Sequence, residues 1–334
     1  MGREHQVIRT ALFGVGRIGV LHGRALLAHR GFQLKYIVDP RPEAARAFAA
    51  EVGASVASEQ EAIADPTIDA VVIASSTDTH LDLCVKAVGA GKAIWCEKPL
   101  DLDLKRLKAA RPVLETAKQR LLLGFQRRFD PNFRTLHERL VAGEIGALES
   151  MHIFSHDPGP PPVEYIKTSG GLFKDMAIHD FDVARWMLGE PICEVFAMAA
   201  NLVDPAIGAA GDVDMAKILL RTSSGRVCLI SNTRRSGYGY DQRVELYGAK
   251  GRLAAGNQLE TTVERWGAAG AASDRFENFF LTRYRAAYAA EVDHFAEVVA
   301  GRAEPLVGPD EAEAALVLAE AAAESAQSGE LVRV

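Results

Sequence analysis

The sequence predicts an α/β protein in which a doubly wound parallel sheet precedes an α+β domain with an open, mostly antiparallel sheet. Three observations predict it. In the first half, short apolar runs alternate with stretches whose apolar residues recur at helical spacing. A glycine-rich loop, Gly14-Val-Gly16-Arg-Ile-Gly19, joins the first apolar run to the first such stretch. Beyond residue 190, strand-like runs follow one another with turns and no helices between them. At 334 residues the chain is long enough for two cores, and its 48% hydrophobic and 25% charged residues are ordinary for a globular protein. The expected division is 1–124 and 125–334.

Residues 7–13 form the first predicted strand, and 20–29 the first helix. Between them the glycines have mechanical meaning. Gly14 makes the turn, Gly16 lets backbone approach a pyrophosphate beside Arg17 and Ile18, and Gly19 lets helix pack on strand. The helix N-terminus offers unpaired N–H groups to an anion. The second strand, 33–38, ends at Asp39, twenty residues beyond Gly19. An acid there accepts hydrogen bonds from ribose hydroxyls and repels a 2′-phosphate, which favours NAD over NADP. Arg41 works against that preference, and a plain turn before Pro40 is the competing reading of Asp39.

Helices are expected at 42–52, 59–64, 79–90 and 103–118, and strands at 70–74, 93–96 and 121–124. Ser75, Thr77 and His80 stand where a strand gives way to a helix, at the carboxyl edge where such sheets bind ligands. They contact a cofactor or serve as helix caps. Glu97-Lys98-Pro99 ends another strand at the same edge. Lys98 there can donate to a reacting oxygen, and the alternative is an ordinary Glu-Lys pair before a turn proline.

The stretch Ser169-Gly-Gly-Leu-Phe-Lys-Asp175-Met-Ala-Ile-His179-Asp-Phe-Asp182 carries most of the candidate chemistry. From 172 to 188 the apolar spacing is helical, so Asp175 and His179, four apart, stack on one face. A carboxylate that orients an imidazole is a general acid–base arrangement near neutral pH.

These motifs resemble the Gfo/Idh/MocA oxidoreductase family, and within it the inositol 2-dehydrogenase group. The residues that carry the resemblance are the glycine loop, Cys96-Glu-Lys-Pro99, Gly124-Phe-Gln-Arg-Arg-Phe-Asp130, and Tyr165-Ile-Lys-Thr-Ser-Gly-Gly through Asp182. A looser likeness reaches Phe279-Phe-Leu-Thr-Arg-Tyr284. The resemblance implies that Lys98, Asp175 and His179 form the catalytic group of an NAD-dependent enzyme oxidising a ring hydroxyl. His179 takes the proton, Asp175 stabilises the imidazole and Lys98 holds the oxygen. Myo-inositol or scyllo-inositol is the implied substrate. A cyclic aldose such as glucose, or a polyol sensor without turnover, are the alternatives. The resemblance also implies a homotetramer paired through the open sheet, and no metal is expected.

In the second half, a helix is expected at 131–142 and strands at 148–155, 192–201, 215–222, 227–234, 242–248, 252–255 and 260–264. Arg127 reaches a polyol hydroxyl or the cofactor, or else is solvated. The proline-rich segment 157–163 is a stiff loop that presents His156 and Asp157 to substrate, or a plain connector. His stands at 156 where the inositol group often has a basic residue. Tyr238 and Tyr240 line the pocket or decorate a surface loop, and Tyr284 is a weaker candidate of the same kind. Residues 282–300 and 310–326 read as packing helices, with Asp310 as an N-cap.

A net charge of −6 gives no overall attraction to nucleic acid or anionic lipid. No apolar run is long enough to span a bilayer. Residues 1–6 lack the apolar core of a leader, and Gln6 stands where a myristoylation signal wants Ser or Thr. Four scattered cysteines without CxxC spacing suit a reducing cytoplasm.

Overall fold

A computed structural model describes residues 7–334; the leader reading above falls on 1–6 and lies outside the described residues. The chain forms two compact units, Met1–Phe129 with Ala287–Ala314, and Asp130–Ala286 with Ala315–Val334. The first boundary therefore falls five residues later than expected, and a segment assigned to the second domain belongs with the first.

The first unit is built on six parallel strands: β1 (Ile8–Phe13), β2 (Phe32–Val38), β3 (Ser55–Val56), β4 (Ala70–Ile73), β5 (Ala93–Glu97) and β6 (Leu121–Gly124). Their order is β3-β2-β1-β4-β5-β6, which puts the reversal of strand order between β1 and β4. Ligands bind outside the carboxyl ends of strands at such a point. β4 and β6 are buried throughout, as parallel strands covered on both faces must be.

The returning segment has a clear physical reason to join this unit. Tyr288, Glu291, Val292 and Phe295 recur at helical spacing in Arg285–Val299 and are all buried. Phe295 stacks 6.0 Å from Phe32 and lies 5.8 Å from Trp95, and Tyr288 meets His22 edge-on at 5.7 Å. Burying one such aromatic contributes about 1.5–3 kcal/mol. Further on, Val307 accepts the Leu123 N–H at 3.0 Å and so pairs the outer strand.

The second unit holds a seven-stranded sheet. Its strands are β7 (Leu148–His156), β8 (Ile192–Ala200), β9 (Met215–Thr222), β10 (Val227–Thr233), β11 (Asp241–Gly248), β12 (Gly251–Ala255) and, after a separate hairpin of β13 (Glu264–Gly267) and β14 (Gly270–Ser273), β15 (Val332–Arg333). The order is β12-β11-β7-β10-β9-β8-β15. β7 runs parallel to β10, so the sheet is mixed: β7 inserts between β10 and β11, two strands adjacent in sequence. One face is open. Met198, Leu219 and Val227 stand on it at 67%, 45% and 39% exposure.

Three local expectations are corrected. Residues 260–263 are not strand: after an isolated bridge between Leu259 and Phe276, the hairpin strand begins at Glu264. The helix placed at 310–326 is Pro309–Ser328, so Asp310 lies inside its first turn. Val163–Ser169, unforeseen behind three prolines, is a short helix. No described helix is long and apolar enough to cross a membrane.

Candidate active site

In the first unit, the glycine loop has the geometry its spacing implied. Gly14 sits at φ +91°, and a Cβ there would meet Ala74 O and Ser75 at 2.5 Å. A Cβ at Gly19 would lie 2.1 Å from Gly14 O, so helix and loop touch only because none is present. Gly16 faces open space and begins the helix Arg17–Ala28 without a side-chain cap, and a helix N-terminus of this kind attracts an anion. This cradle fits a pyrophosphate.

Asp39 accepts the Val15 N–H at 2.8 Å and the Arg41 N–H at 2.9 Å, and pairs with the Arg41 guanidinium at 3.0 Å. Burial opposes its ionisation, but the Arg41 side chain and the two backbone donors outweigh burial and hold its pKa below the usual value. Arg41 is therefore committed to Asp39.

Beside the next strand end, Ser75 Oγ lies 2.6 Å from Thr79 Oγ1, and Thr77 is half-buried. His80, expected to meet cofactor, is instead 2% exposed. Its Nδ1 lies 2.8 Å from Pro99 O and its Nε2 3.3 Å from Ser75 O. Burial pushes its pKa down. The ring is a strut between two ligand-edge loops, one of which contains Lys98 and the cis Lys98–Pro99 bond.

Glu97 likewise turns inward. Its Oε1 lies 2.6 Å from His22 Nε2, and its Oε2 accepts the Lys98 N–H at 3.2 Å. A Cβ at Gly124 would press on this carboxylate at 3.0–3.1 Å. Glu291, fully buried, completes the cluster beside Trp95. Burial first, and the charge of Glu97 second, push its pKa well above the ordinary value. Lys98 itself is half-buried at the end of β5, and Arg127 is 3% exposed in the turn after β6.

In the second unit, Asp175 lies in a π turn, Leu172–Met176, and His179 in the first turn of the helix that follows, Ala177–Leu188. The uninterrupted helix expected over 172–188 is corrected accordingly, since one wide turn precedes the regular one. Such turns concentrate at functional sites. Asp175 accepts a hydrogen bond from Tyr165 OH at 2.9 Å and faces Arg234 at 3.7 Å. Arg234 also faces Asp157 at 3.8 Å. His179 is half-buried. Asp180, one residue on, accepts from Asn232 Nδ2 at 2.7 Å and fastens this helix to β10.

His156 does not join Asp157. Side chains alternate along β7: Ser155 turns to the buried face, where it donates to Gln242, while His156 turns to the open face. There it lies 2.8 Å from Ser231 Oγ and 3.2 Å from Tyr238 OH. Burial pushes its pKa down against the pull of Asp241. Tyr238 donates to Asp241 at 2.9 Å and is 55% exposed. Tyr240 is buried and meets Tyr284 edge-on at 6.2 Å. Tyr284 is wholly buried and donates to Gln242 at 3.3 Å. The three tyrosines thus divide between an open rim and the core.

Sequence reasoning missed Arg234, Asp212, His22 and Glu291. Only Glu291 left a local trace, an acid on the apolar stripe of a helix. Among the described residues, no group of three or more His, Cys, Asp or Glu side chains is placed to hold a metal ion.

Two family models match successive parts of the chain. Residues 8–125 match the oxidoreductase family with an NAD-binding Rossmann fold, and residues 133–254 match the GFO/IDH/MocA C-terminal domain. An inositol 2-dehydrogenase of Rhizobium meliloti (strain 1021) is 45% identical, covering 95% of this chain and 96% of the relative. A myo-inositol 2-dehydrogenase of Thermotoga maritima is 42% identical, covering 98% of each. The crystal structure of a scyllo-inositol dehydrogenase from Lactobacillus casei, with bound NAD(H) and scyllo-inositol, superposes with a TM-score of 0.92 at 25% identity. It covers 98% of this chain and 99% of its own.

Proposed function

Because the chain belongs to the Gfo/Idh/MocA oxidoreductase family and carries its NAD-binding domain, we propose that it oxidises a ring hydroxyl of an inositol to the ketone. Myo-inositol giving the 2-keto product is the first choice and scyllo-inositol the second. The observation that carries this reading is a held carboxylate, Asp175, a turn before a half-buried imidazole, in a chain 45% identical to an inositol 2-dehydrogenase.

The residues suited to hold NAD are Gly14, Gly16, Arg17 and Ile18 at its pyrophosphate, and Asp39 at its ribose. Ser75, Thr77 and Lys98 are further candidates. Bound NAD supplies a hydride acceptor. His179 accepts the hydroxyl proton as the C–H bond gives up its hydride and the carbonyl forms. Asp175 stabilises the imidazolium, and Lys98 donates to the oxygen as charge gathers there. Arg127, Asp157 and Tyr238 remain candidates for substrate contact, while the burial of Tyr240 removes it from that set. The net products are ketone, NADH and one proton.

Absorbance of NADH on mixing the protein and NAD with myo-inositol, scyllo-inositol and glucose tests the reading and ranks the substrates. Tight NAD binding with no product from any polyol would favour a sensor. The open sheet face around Met198, Leu219 and Val227 suits pairing with another copy in a homotetramer. Light scattering of the purified chain at micromolar concentration reads this directly. A cytoplasmic location is supported by four free thiols, Cys84, Cys96, Cys193 and Cys228.

A further inference from the structure

A π turn is a costly way to begin a helix, and it persists only where its ends are fixed from outside. Here both are fixed. At the start, Asp212 accepts the Leu172 N–H with both carboxylate oxygens at 3.0 Å. Gly171 stands at φ +76°, and a Cβ there would lie 2.5 Å from Asp212 Oδ1, so the approach needs glycine twice over. Inside the turn, Asp175 is held by Tyr165.

Arg234 ties these points together. It follows β10 and is 2% exposed. Its Nη2 lies 3.7 Å from Asp175 Oδ2 and 4.0 Å from Asp212 Oδ2, and its Nη1 lies 3.8 Å from Asp157 Oδ2. One guanidinium thus faces carboxylates from the proline-rich loop, the π turn and the segment before β9. Its own anchor is stiff. The Arg234 N–H donates to Asp214 O at 2.9 Å. The buried Asp214 carboxylate in turn accepts from Asn201 Nδ2 and from the N–H groups of Leu202, Val203 and Asp204, all within 2.8–2.9 Å. Burying a cation at such a place is costly unless it is compensated, and three acids around it supply the compensation. The three acids keep part of their side chains open, at 24%, 13% and 13% for Asp157, Asp175 and Asp212. Arg234 does not.

We propose that Arg234 is a positioning residue for the proton acceptor: through Asp212 and Asp175 it sets the π turn, and with it the placement of the carboxylate relative to His179. It acts through these acids and does not itself touch substrate. The inference rests on the reading of Asp175 and His179 given above. A planar fork can face several carboxylates at once, whereas an ammonium is a single point of charge.

The test uses the full chain and four variants, Arg234→Met, Arg234→Lys, Asp212→Asn and His179→Ala. Turnover is expressed per NAD-binding site, with NAD affinity and the KM for myo-inositol measured separately. Arg234→Met is expected to lower kcat about 100-fold, with NAD affinity within about twofold of the parent. Arg234→Lys should recover about tenfold of that loss, and Asp212→Asn should lower kcat about tenfold. Unchanged kcat per NAD site in the Arg234→Lys and Asp212→Asn variants would overturn the inference, even where Arg234→Met fails to fold. So would a loss confined to the yield of folded protein. His179→Ala separates the two claims. If it is inactive while the Arg234 and Asp212 variants turn over normally, only the positioning role fails. If it turns over normally, His179 is not the proton acceptor and the positioning role loses its premise, whereas no turnover by the parent chain would sink the dehydrogenase reading itself.

Discussion

Glu97 directly precedes the candidate Lys98 and Asp175 lies four residues before the candidate His179, yet the two carboxylates are secured in opposite ways. Glu97 lies 2.6 Å from the His22 ring, and its charge helps raise the pKa of the buried acid Glu291. Asp175 faces a guanidinium, which stays charged at any accessible pH, and a tyrosine hydroxyl. The first arrangement positions the backbone of Lys98, while the second positions a side chain of the proposed acid–base pair. A backbone anchor tolerates a change of charge nearby, because the N–H it fixes is neutral. A carboxylate meant to stabilise an imidazolium is best placed beside a cation, and Arg234 faces Asp175 at 3.7 Å.

The strongest way to break this division is His179→Ala. Turnover should fall by about two to four powers of ten while NAD affinity stays nearly intact. Steady-state rates together with NAD titration read both quantities, and equal loss of both would make His179 structural. Asp39→Ala probes the opposite region. Losing a charge-assisted hydrogen bond worth about 1.5–3 kcal/mol should weaken NAD roughly 10- to 100-fold. It should also narrow the gap to NADP, with kcat at saturating NAD little changed. An unaltered NAD to NADP ratio would remove Asp39 from the cofactor site.

Glu291→Gln sharpens the contrast through pH. The native pKa of Glu291 lies above its ordinary 4.5. Above that pH the folded protein keeps a proton that the unfolded chain has released, so stability falls as pH rises. The slope is up to about 1.4 kcal/mol per pH unit, until the native pKa is passed. The contribution is fully present below the unfolded pKa. Gln carries no such proton, so urea unfolding at pH 6 and pH 8 should show a shallower loss in the variant. An equal slope in both proteins would mean that Glu291 is ionised in the fold. The smallest effect is expected from Gly124→Ala, whose methyl presses on the Glu97 carboxylate at 3.0–3.1 Å. A cost of about 1 kcal/mol and a few-fold loss of kcat should follow, with Asp39-dependent cofactor preference unchanged.

Most of the first unit was legible because its signals are local. A strand, the loop Gly14–Gly19 and a helix lie consecutively in the chain, and glycine spacing is dictated by backbone contacts a few residues apart. The return of residues 287–314 was not legible, since an amphipathic helix shows that it will pack but not against which sheet. The same holds for β7, whose insertion between β10 and β11 is a matter of long-range pairing. His156 illustrates a finer limit. It was paired with its neighbour Asp157 as a loop contact to substrate, but one step along a strand reverses the face, and the strand's last residue decides which side chain turns inward.

What the sequence determined by itself is the chemistry available: a nucleotide-binding loop with its acidic partner, a lysine at a strand end, and an acid one turn before an imidazole. Each follows from residues close together in the chain, whose spacing fixes local geometry. What only the tertiary structure decided is how those groups are held. Arg234 gathers acids near positions 157, 175 and 212, and Glu291 reaches back to a strand almost two hundred residues earlier. Such pairings carry no sequence period, because burial and charge act between whatever the fold brings within a few ångströms, however far apart the residues lie along the chain.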